Sequence, residues 1–444
     1  MTPSGNRRRL LRPLLTLLCL ATIFQTVHAQ IPQISLPLPL GCGWPFKTTP
    51  DTLNVMYPDA NAIYWTTPYI LLPGSSLEIK GSFFPARFLS INTYNTLGES
   101  LSSTYDTQFV LNPGSENPFK DQFVSAGSFH ATIIPSPQPG TPAPTPPAGS
   151  DILYGPAVNQ FGFSQGYVVI RSYIPTNGDV PQNELPKLTI SLNGHNIATV
   201  PPCTTLSPTI RLLLFNALVR YWDGNFNAPG TTDTDEVAFR PPVSNQASGA
   251  FPNDYNKYVV TGMTYQKGVI VVVRGRAATV PKTGRNGYPN LKGQELRYWS
   301  MCNYDHVFPF PVVEQGKQSG CAADYQTPLD DDGYYTYVVA APGDVPARAR
   351  LDKTVTLLPW GATRFEKALI FRNMLPDDNF KMTTQRANEV CGKYPNWSID
   401  QLATCTRVVM GPYYPQGTYC EKSIYEKGGW QACFQQPAPV RKQE

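Results

Sequence analysis

A repeated pattern of residues limits what this chain can fold into more than any other feature of its sequence. Tyr64 and Gly81 recur as Tyr258 and Gly275, each 194 positions later. Further blocks follow in the same order: RFLSINTYN at 87–95 matches RYWSMCNYD at 297–305, FHATII at 129–134 matches YTYVVA at 335–340, and YVVIRSYIP at 167–175 matches ALIFRNMLP at 368–376. Because four blocks in one order are hard to obtain by chance, we predict a duplicated domain.

The matched blocks have the alternation of β-strands. Leu89 and Trp299 fall on one face of their strands, whereas Phe88 and Tyr298 fall on the opposite, aromatic and polar face. Short strands between turns, together with 45 prolines and 34 glycines, oppose long helices. We therefore predict a mainly β fold with two tandem related antiparallel β-sandwich (jelly-roll-like) domains, a connecting helix and a small disulfide-rich C-terminal extension.

The expected boundaries follow from composition. We predict a signal peptide over 1–29, the first β-sandwich domain over 30–202, a connecting helix and linker over 203–250, the second β-sandwich domain over 251–380 and the Cys-rich extension over 381–444.

The first residues are typical of a secretory signal peptide. Four arginines precede an apolar run over 14–24 and a small-x-small cleavage site before Gln30. No later stretch reaches the about 18 apolar residues that a membrane-spanning helix needs. Removal of the four arginines leaves 32 basic and 32 acidic residues, which disfavours nucleic acid as a partner. We expect a soluble, secreted or periplasmic protein with no integral membrane segment after cleavage.

Eight cysteines remain after the signal peptide, and an even number in an exported chain indicates disulfides. Closeness in the chain favours pairing Cys302 with Cys321. It also favours local pairing among the last four, which are Cys391, Cys405, Cys420 and Cys433. Cys42 and Cys203 are then left for each other. The alternative is a metal site, but the chain has no CxxC motif and few histidines, so we expect no metal or other cofactor.

The candidate ligand-binding residues lie on the polar face of the 297–305 strand and on the 368–376 strand. They offer rings, hydroxyl groups and charges, and they are Arg297, Tyr298, Ser300, Tyr304, Asp305 and Arg372. A buried guanidinium needs acceptors, so each arginine either forms an internal ion pair or anchors a polar ligand. The rings likewise either stack on a sugar or fill a core. We predict a ligand site where this face meets the other half, and the alternative is that the face packs against the sister domain.

We expect a binding or structural protein that holds a glycan or another polar ligand between its two β domains. The alternative is a hydrolase acting on glycans or glycoconjugates, which needs an acid of raised pKa beside a second catalytic group. Asp305 is the one acid next to the aromatic set and its counterpart is Asn95, so the paired carboxylates of a glycosidase are not visible and no catalytic residue is assigned.

Several blocks together resemble a family of exported bacterial proteins known mainly as hypothetical. They include YPDANAIYWTTPY, PARFLSINTYN, NPGSENPF, ELRYWSMCNYD, DDDGYYTYVVAAP and GATRFEKALIFRNMLP, and they span about residues 59–380. The resemblance brings no catalytic residues. RYWSMCNYD, DGYYTYVV and LIFRNMLP are more distantly similar to paired domains of unknown function, whose two jelly-roll-like domains are similar to peptide N-glycosidase. This fold analogy implies glycan or glycoprotein chemistry.

Overall fold

The computed structural model describes residues 42–140, 142–203, 236–242, 251–284, 286–307 and 310–436. In these ranges the chain is mainly β, as predicted. The predicted signal peptide lies outside the described residues, as does most of the predicted connecting helix and linker, of which residues 203 and 236–242 are described. None of the described helices combines the length and the apolar character needed to span a bilayer.

The first half contains eleven described strands. They are β1 (Phe46–Thr48), β2 (Ala62–Leu71), β3 (Ser75–Ser82), β4 (Ala86–Asn95), β5 (Ser100–Tyr105), β6 (Val110–Leu111), β7 (Ser128–Ser136), β8 (Ile152–Ala157), β9 (Ser164–Pro175), β10 (Lys187–Leu192) and β11 (His195–Val200). They form two sheets, of order β1-β2-β9-β4-β5 and β11-β10-β3-β7-β6, with β8 paired to β7.

The second half contains the remaining strands and the helices. The strands are β12 (Asn256–Met263), β13 (Val269–Arg276), β14 (Lys282–Thr283), β15 (Pro289–Asn290), β16 (Leu296–Asp305), β17 (Glu314–Gln315), β18 (Gln318–Ser319), β19 (Cys321–Ala323), β20 (Tyr334–Ala340), β21 (Val355–Pro359), β22 (Lys367–Pro376) and β23 (Gln416–Glu421). The helices are α1 (Ala347–Leu351), α2 (Thr384–Val390), α3 (Ile399–Met410) and α4 (Lys422–Gln435). The main sheets have the orders β12-β22-β16-β19 and β21-β20-β13-β23.

The strands that carry the repeated blocks pair in matching register. In the first half, Arg171 of β9 lies opposite Tyr64 of β2, and β4 borders the other edge of β9. In the second half, Arg372 of β22 lies opposite Tyr258 of β12, and β16 borders the other edge of β22. The order β3-β7-β8, antiparallel and then parallel, has the same pairing senses as β13-β20-β21.

Strands β4 and β16 are buried on both faces. Leu89 packs into the core that the two sheets of the first half share, and Trp299 into the core of the second half. The opposite faces carry Phe88 and Tyr298, which belong to one hydrophobic cluster built from both halves. The alternation of side chains in the sequence thus assigned these faces correctly, and the aromatic and polar faces lie at the contact between the halves.

Four disulfides join cysteines of the described residues; two pairs are as predicted, and the last four cysteines pair locally as expected. They join Cys302 to Cys321, Cys391 to Cys405, Cys420 to Cys433 and Cys42 to Cys203.

The C-terminal extension is part of the second half's sheet. Strand β23 pairs antiparallel with β13 along its whole length, from Gln416 opposite Arg274 to Glu421 opposite Val269. Helix α3 begins at a capping box in which the Ser398 hydroxyl accepts a hydrogen bond from the backbone N–H of Gln401. The extension therefore completes an edge of the sheet instead of standing apart from it.

Candidate functional site

The ligand-binding residues predicted from sequence lie mostly inside the protein. Tyr298, Ser300 and Tyr304 are 0% exposed, and Arg297 and Arg372 are 3% exposed. Asp305, at the end of β16, is partly exposed. Five of the six predicted residues therefore lie at the buried contact between the halves.

Two ion pairs cross this contact in opposite directions. Arg297 of the second half lies 3.1 Å from a carboxylate oxygen of Asp106 in the first half. Arg87 of the first half lies 3.2 Å from Asp324 in the second half. All four side chains are almost fully buried. Each half thus supplies one guanidinium and one carboxylate to the other.

Each of these carboxylates is also bound by its own half. Asp106 accepts the backbone N–H of Leu89 at 2.9 Å, and Asp324 accepts that of Trp299 at 3.3 Å. Burial raises the pKa of both carboxyl groups, while the guanidinium group and the backbone N–H oppose that effect. The carboxylates therefore hold β4 and β16 in register with the partner half.

Arg372 of the second half binds the segment at residues 57–58 of the first half, just before β2. Its Nη2 donates to the Tyr57 carbonyl at 2.9 Å and to the Tyr304 hydroxyl at 2.5 Å. The Tyr304 hydroxyl in turn donates to the Pro58 carbonyl at 2.8 Å. Tyr57 has a φ of 56°, a strained value that these contacts hold in place.

Arg171 makes the equivalent contacts in the opposite direction. Its Nη2 donates to the Phe251 carbonyl at 2.7 Å, and the Tyr94 hydroxyl donates to the Pro252 carbonyl at 2.7 Å. Phe251 also has a positive φ, of 49°. Each half therefore inserts an aromatic-proline segment into an arginine and tyrosine pocket of the other.

Asp59, which follows Pro58, fills the space between Tyr298 and Ser300. Its Oδ2 accepts both hydroxyl groups, at 2.8 and 2.7 Å. Asp59 is 0% exposed and also lies near the sulfur atoms of Cys302 and Cys321. Because those cysteines form a disulfide, they are not available as thiolate ligands, and this group does not make a metal site.

Asp305 belongs to a different cluster at the open end of β16. Its Oδ1 lies 2.7 Å from Nζ of Lys367, the residue opposite it in the sheet, and accepts the Thr363 hydroxyl at 2.9 Å. Lys367 Nζ also donates to the carbonyl oxygens of Thr363 and Phe365. Burial lowers the pKa of Lys367, and Asp305 opposes that effect. The cluster fastens the 363–367 loop to the sheet.

The predicted residues thus already bind groups of the protein itself. Binding of a ligand between the halves remains a prediction.

An open cleft of about 360 Å³ lies on the second half. One wall comes from β13 and β20, and the other from the C-terminal extension. Its lining combines two arginines with four aromatic rings and contains no acidic residue: Arg274, Gly275, Tyr334, Arg407, Gly411, Pro412, Tyr414, Gln416, Trp430 and Phe434.

Arg274 is fixed at one wall of the cleft. Its guanidinium carbon lies 3.8 Å from the centre of the Trp430 ring and 4.8 Å from that of Tyr334. Its Nη2 lies 2.5 Å from Asp330, and its Nη1 donates to the Thr336 hydroxyl at 3.0 Å. Although burial favours the neutral acid, hydrogen bonds from the Tyr334 N–H and from Arg274 hold the pKa of Asp330 below its usual value.

Arg407 lies at the cleft on an exposed part of α3. Its guanidinium carbon lies 5.3 Å from the centre of the Tyr414 ring. The Tyr414 hydroxyl is held by both the N–H and the carbonyl of Phe239. Over the described part of the chain, no carboxylate lies within ion-pair distance of Arg407. Arg407 therefore adds a positive charge to the cleft that the described carboxylates do not neutralise.

Sequence reasoning missed this cleft. The sequence signals at the cleft are weak. Arg274 is a charged residue at the end of the apolar run of β13, and Trp430 and Phe434 are four residues apart in the Cys-rich tail.

No protein-family model matches the chain, and no curated protein matches it. Two solved structures are similar in outline. An uncharacterized protein from Burkholderia cenocepacia is 12% identical, with a TM-score of 0.48, over 94% of this chain and 91% of that one. The VPA0106 protein from Vibrio parahaemolyticus is 11% identical, with a TM-score of 0.37, over 80% of this chain and 88% of that one.

Proposed function

We propose that the protein is an exported binding protein of two related β-sandwich, jelly-roll-like domains, and that the second domain binds a polar ligand in the cleft against the C-terminal extension. The observation that carries the proposal is the lining of that cleft. Two guanidinium groups and four aromatic rings line an open space with no acidic residue. A concave site with aromatic walls and a few polar groups is the usual form of a small-ligand site.

The matching registers of the two halves support their origin by duplication. So does the exchange of contacts, since Arg87 and Arg297 sit at equivalent positions of β4 and β16 and bind equivalent carboxylates of the opposite half. An interface in which both partners use the same patch is typical of a two-fold symmetric pair. In this proposal the contact between the halves holds the two domains together.

The contact between the halves is a less suitable place for a ligand than the cleft. Tyr304, Ser300 and Arg372 each donate to groups of the first half, and a ligand would have to displace those groups. Breaking such buried hydrogen bonds costs free energy that a polar ligand must restore.

Hydrolysis is not favoured by the acids present. Among the described carboxyl groups, Asp106 and Asp324 are those with a raised pKa, and both are buried in ion pairs. Asp330, beside the cleft, has a lowered pKa and is ionised at neutral pH, so it is a poor general acid.

The test is a glycan and small-molecule array probed with the mature protein and with two variants. Arg407→Ala removes the charge from the cleft. Arg364→Ala is the matched control, because its guanidinium also lies 5.3 Å from a tyrosine ring, that of Tyr265, but does not line the cleft. We expect ligands that bind the wild type to be lost by the first variant and kept by the second. Equal binding by both variants, or no ligand at all, would refute the proposal.

The prediction that the ligand lies between the halves has its own test. Tyr304→Phe removes the hydroxyl that bridges Arg372 and Pro58. Lost ligand binding with an unchanged melting temperature would place the ligand at the contact. A lower melting temperature with binding retained is the result expected here.

A further inference from the structure

We infer that the cleft takes an acidic saccharide, whose carboxylate is bound by Arg407 while its ring lies along the aromatic wall. The inference rests on the proposed function, and names the class of ligand that the same site selects. It is drawn from the charge of the cleft, from its rings and from the contrast with the first half.

The charge of the cleft is positive and only partly compensated. Asp330 lies behind Arg274 and neutralises it, so Arg274 is a fixed part of the wall. Arg407, the other arginine of the lining, has no described carboxylate within ion-pair distance and supplies the uncompensated charge. Arginine binds carboxylates through paired N–H donors, which favours an anion of this kind.

The polar groups of the cleft suit a saccharide. Gln416 is exposed at the start of β23 and offers both a donor and an acceptor. Tyr334 and Trp430 are half-buried, and each combines a flat apolar ring with a polar atom. One face of Trp430 is covered by Arg274, so the ring and the guanidinium together form a rigid wall.

The first half lacks these features at the corresponding positions. Lys80 precedes Gly81 in β3 as Arg274 precedes Gly275 in β13. Its side chain is 53% exposed and pairs with Glu78 at 2.8 Å. Three of the four rings of the cleft come from the extension of the second half, since Trp430 and Phe434 lie on α4 and Tyr414 lies just before β23. The site is therefore a property of the second half and its extension.

The experiment compares uronate oligosaccharides with their own carboxyl-reduced forms, in which each carboxylate becomes a hydroxymethyl group. Trimers of glucuronate, galacturonate and mannuronate are titrated calorimetrically into the mature protein, with benzoate and inorganic phosphate as non-saccharide anions. We expect at least one uronate trimer to bind about tenfold more tightly than its reduced form, since a charge-assisted hydrogen bond contributes about one to two factors of ten. Arg407→Ala should remove that difference, and Arg364→Ala should keep it.

The remaining outcomes separate the inference from the proposed function. Equal affinity for the acidic and reduced forms, still lost in Arg407→Ala, would overturn the acidic class but leave the cleft as a binding site. Binding of benzoate or phosphate without any uronate would overturn the saccharide. Absence of binding by every probe, or the same affinity in Arg407→Ala as in the wild type, would overturn the inference. Equal binding by Arg407→Ala and Arg364→Ala on the wider array, or no ligand there, would overturn the proposed function as well.

Discussion

Replacing Arg297 by methionine is expected to weaken the attachment of the two halves severely. The methionine keeps much of the apolar stem but leaves Asp106 without its guanidinium partner. Asp106 has a fully buried side chain, and its remaining described partners are backbone groups of its own half such as the Leu89 N–H. Removing one partner of a buried pair typically costs about 3–5 kcal/mol, because the other charge stays buried and uncompensated.

That cost is measurable as a change in melting temperature. For domains of about 150–250 residues each kcal/mol lowers the melting temperature by about 2–4 °C, so the variant should melt about 6–20 °C lower. The double variant Arg297→Met with Asp106→Asn removes both charges but keeps an oxygen that can accept the Leu89 N–H, and it should recover part of the loss.

The assay is calorimetry together with urea unfolding of the wild type, both variants and one control. Arg386→Met breaks an exposed pair with Glu389, with both side chains more than half exposed, and should cost at most about 1 kcal/mol. A loss in Arg297→Met no larger than that of the control would refute the reasoning. So would a double variant that is less stable than the single one.

Three further changes test other parts of the structure. Asp59→Ala leaves the hydroxyl groups of Tyr298 and Ser300 buried without their acceptor, and urea unfolding should show a loss of about 1–3 kcal/mol for each group. Gly275→Ala places a Cβ 2.4 Å from the Tyr335 hydroxyl and should lower the free energy of unfolding by about 1–3 kcal/mol. The control Gly343→Ala adds a Cβ that meets no atom within 4 Å and should change it very little. Equal effects of the two variants would contradict this packing. Burial lowers the pKa of His306 below 6.5, although Glu366 opposes that effect. The unfolded chain therefore binds the proton more readily, and stability is lost as the pH falls through 6.5 towards the folded-state pKa. His306→Gln should make the melting temperature less dependent on pH over this range, and an unchanged pH profile would refute this expectation.

The repeated blocks allowed several strands to be predicted, together with the side chains that share a face, because successive side chains of a strand point to opposite faces. Phe88 and Tyr298 were correctly placed opposite Leu89 and Trp299. Packing of the polar face against the sister half was one of the two alternatives that the sequence left open, but the residues that bind this face were not predictable. The carboxylate that binds Arg297 lies 191 positions away in the chain, and nothing in the local pattern at Asp106 marks it as a partner.

The cleft was beyond sequence reasoning for a similar reason. It exists because β23 pairs with the edge of β13, which brings Gln416 beside Arg274 across more than 140 residues of chain. Strand pairing at a sheet edge depends on backbone hydrogen bonds that most sequences can form, so the side chains of β23 carry little information about it. Trp430 lies on α4, which directly follows β23, and its ring contacts the Arg274 guanidinium.

The exchange of segments between the halves also sets an order of events during synthesis. The first half leaves the ribosome first, and domains usually begin to fold in that order. Until residue 251 has been made, the pocket of Tyr94 and Arg171 lacks the carbonyl groups of Phe251 and Pro252 that these side chains bind. The partner of Asp106 is made later still, because the guanidinium that binds this carboxylate belongs to Arg297. Folding of the first half is therefore completed only after the chain has been made at least to residue 297.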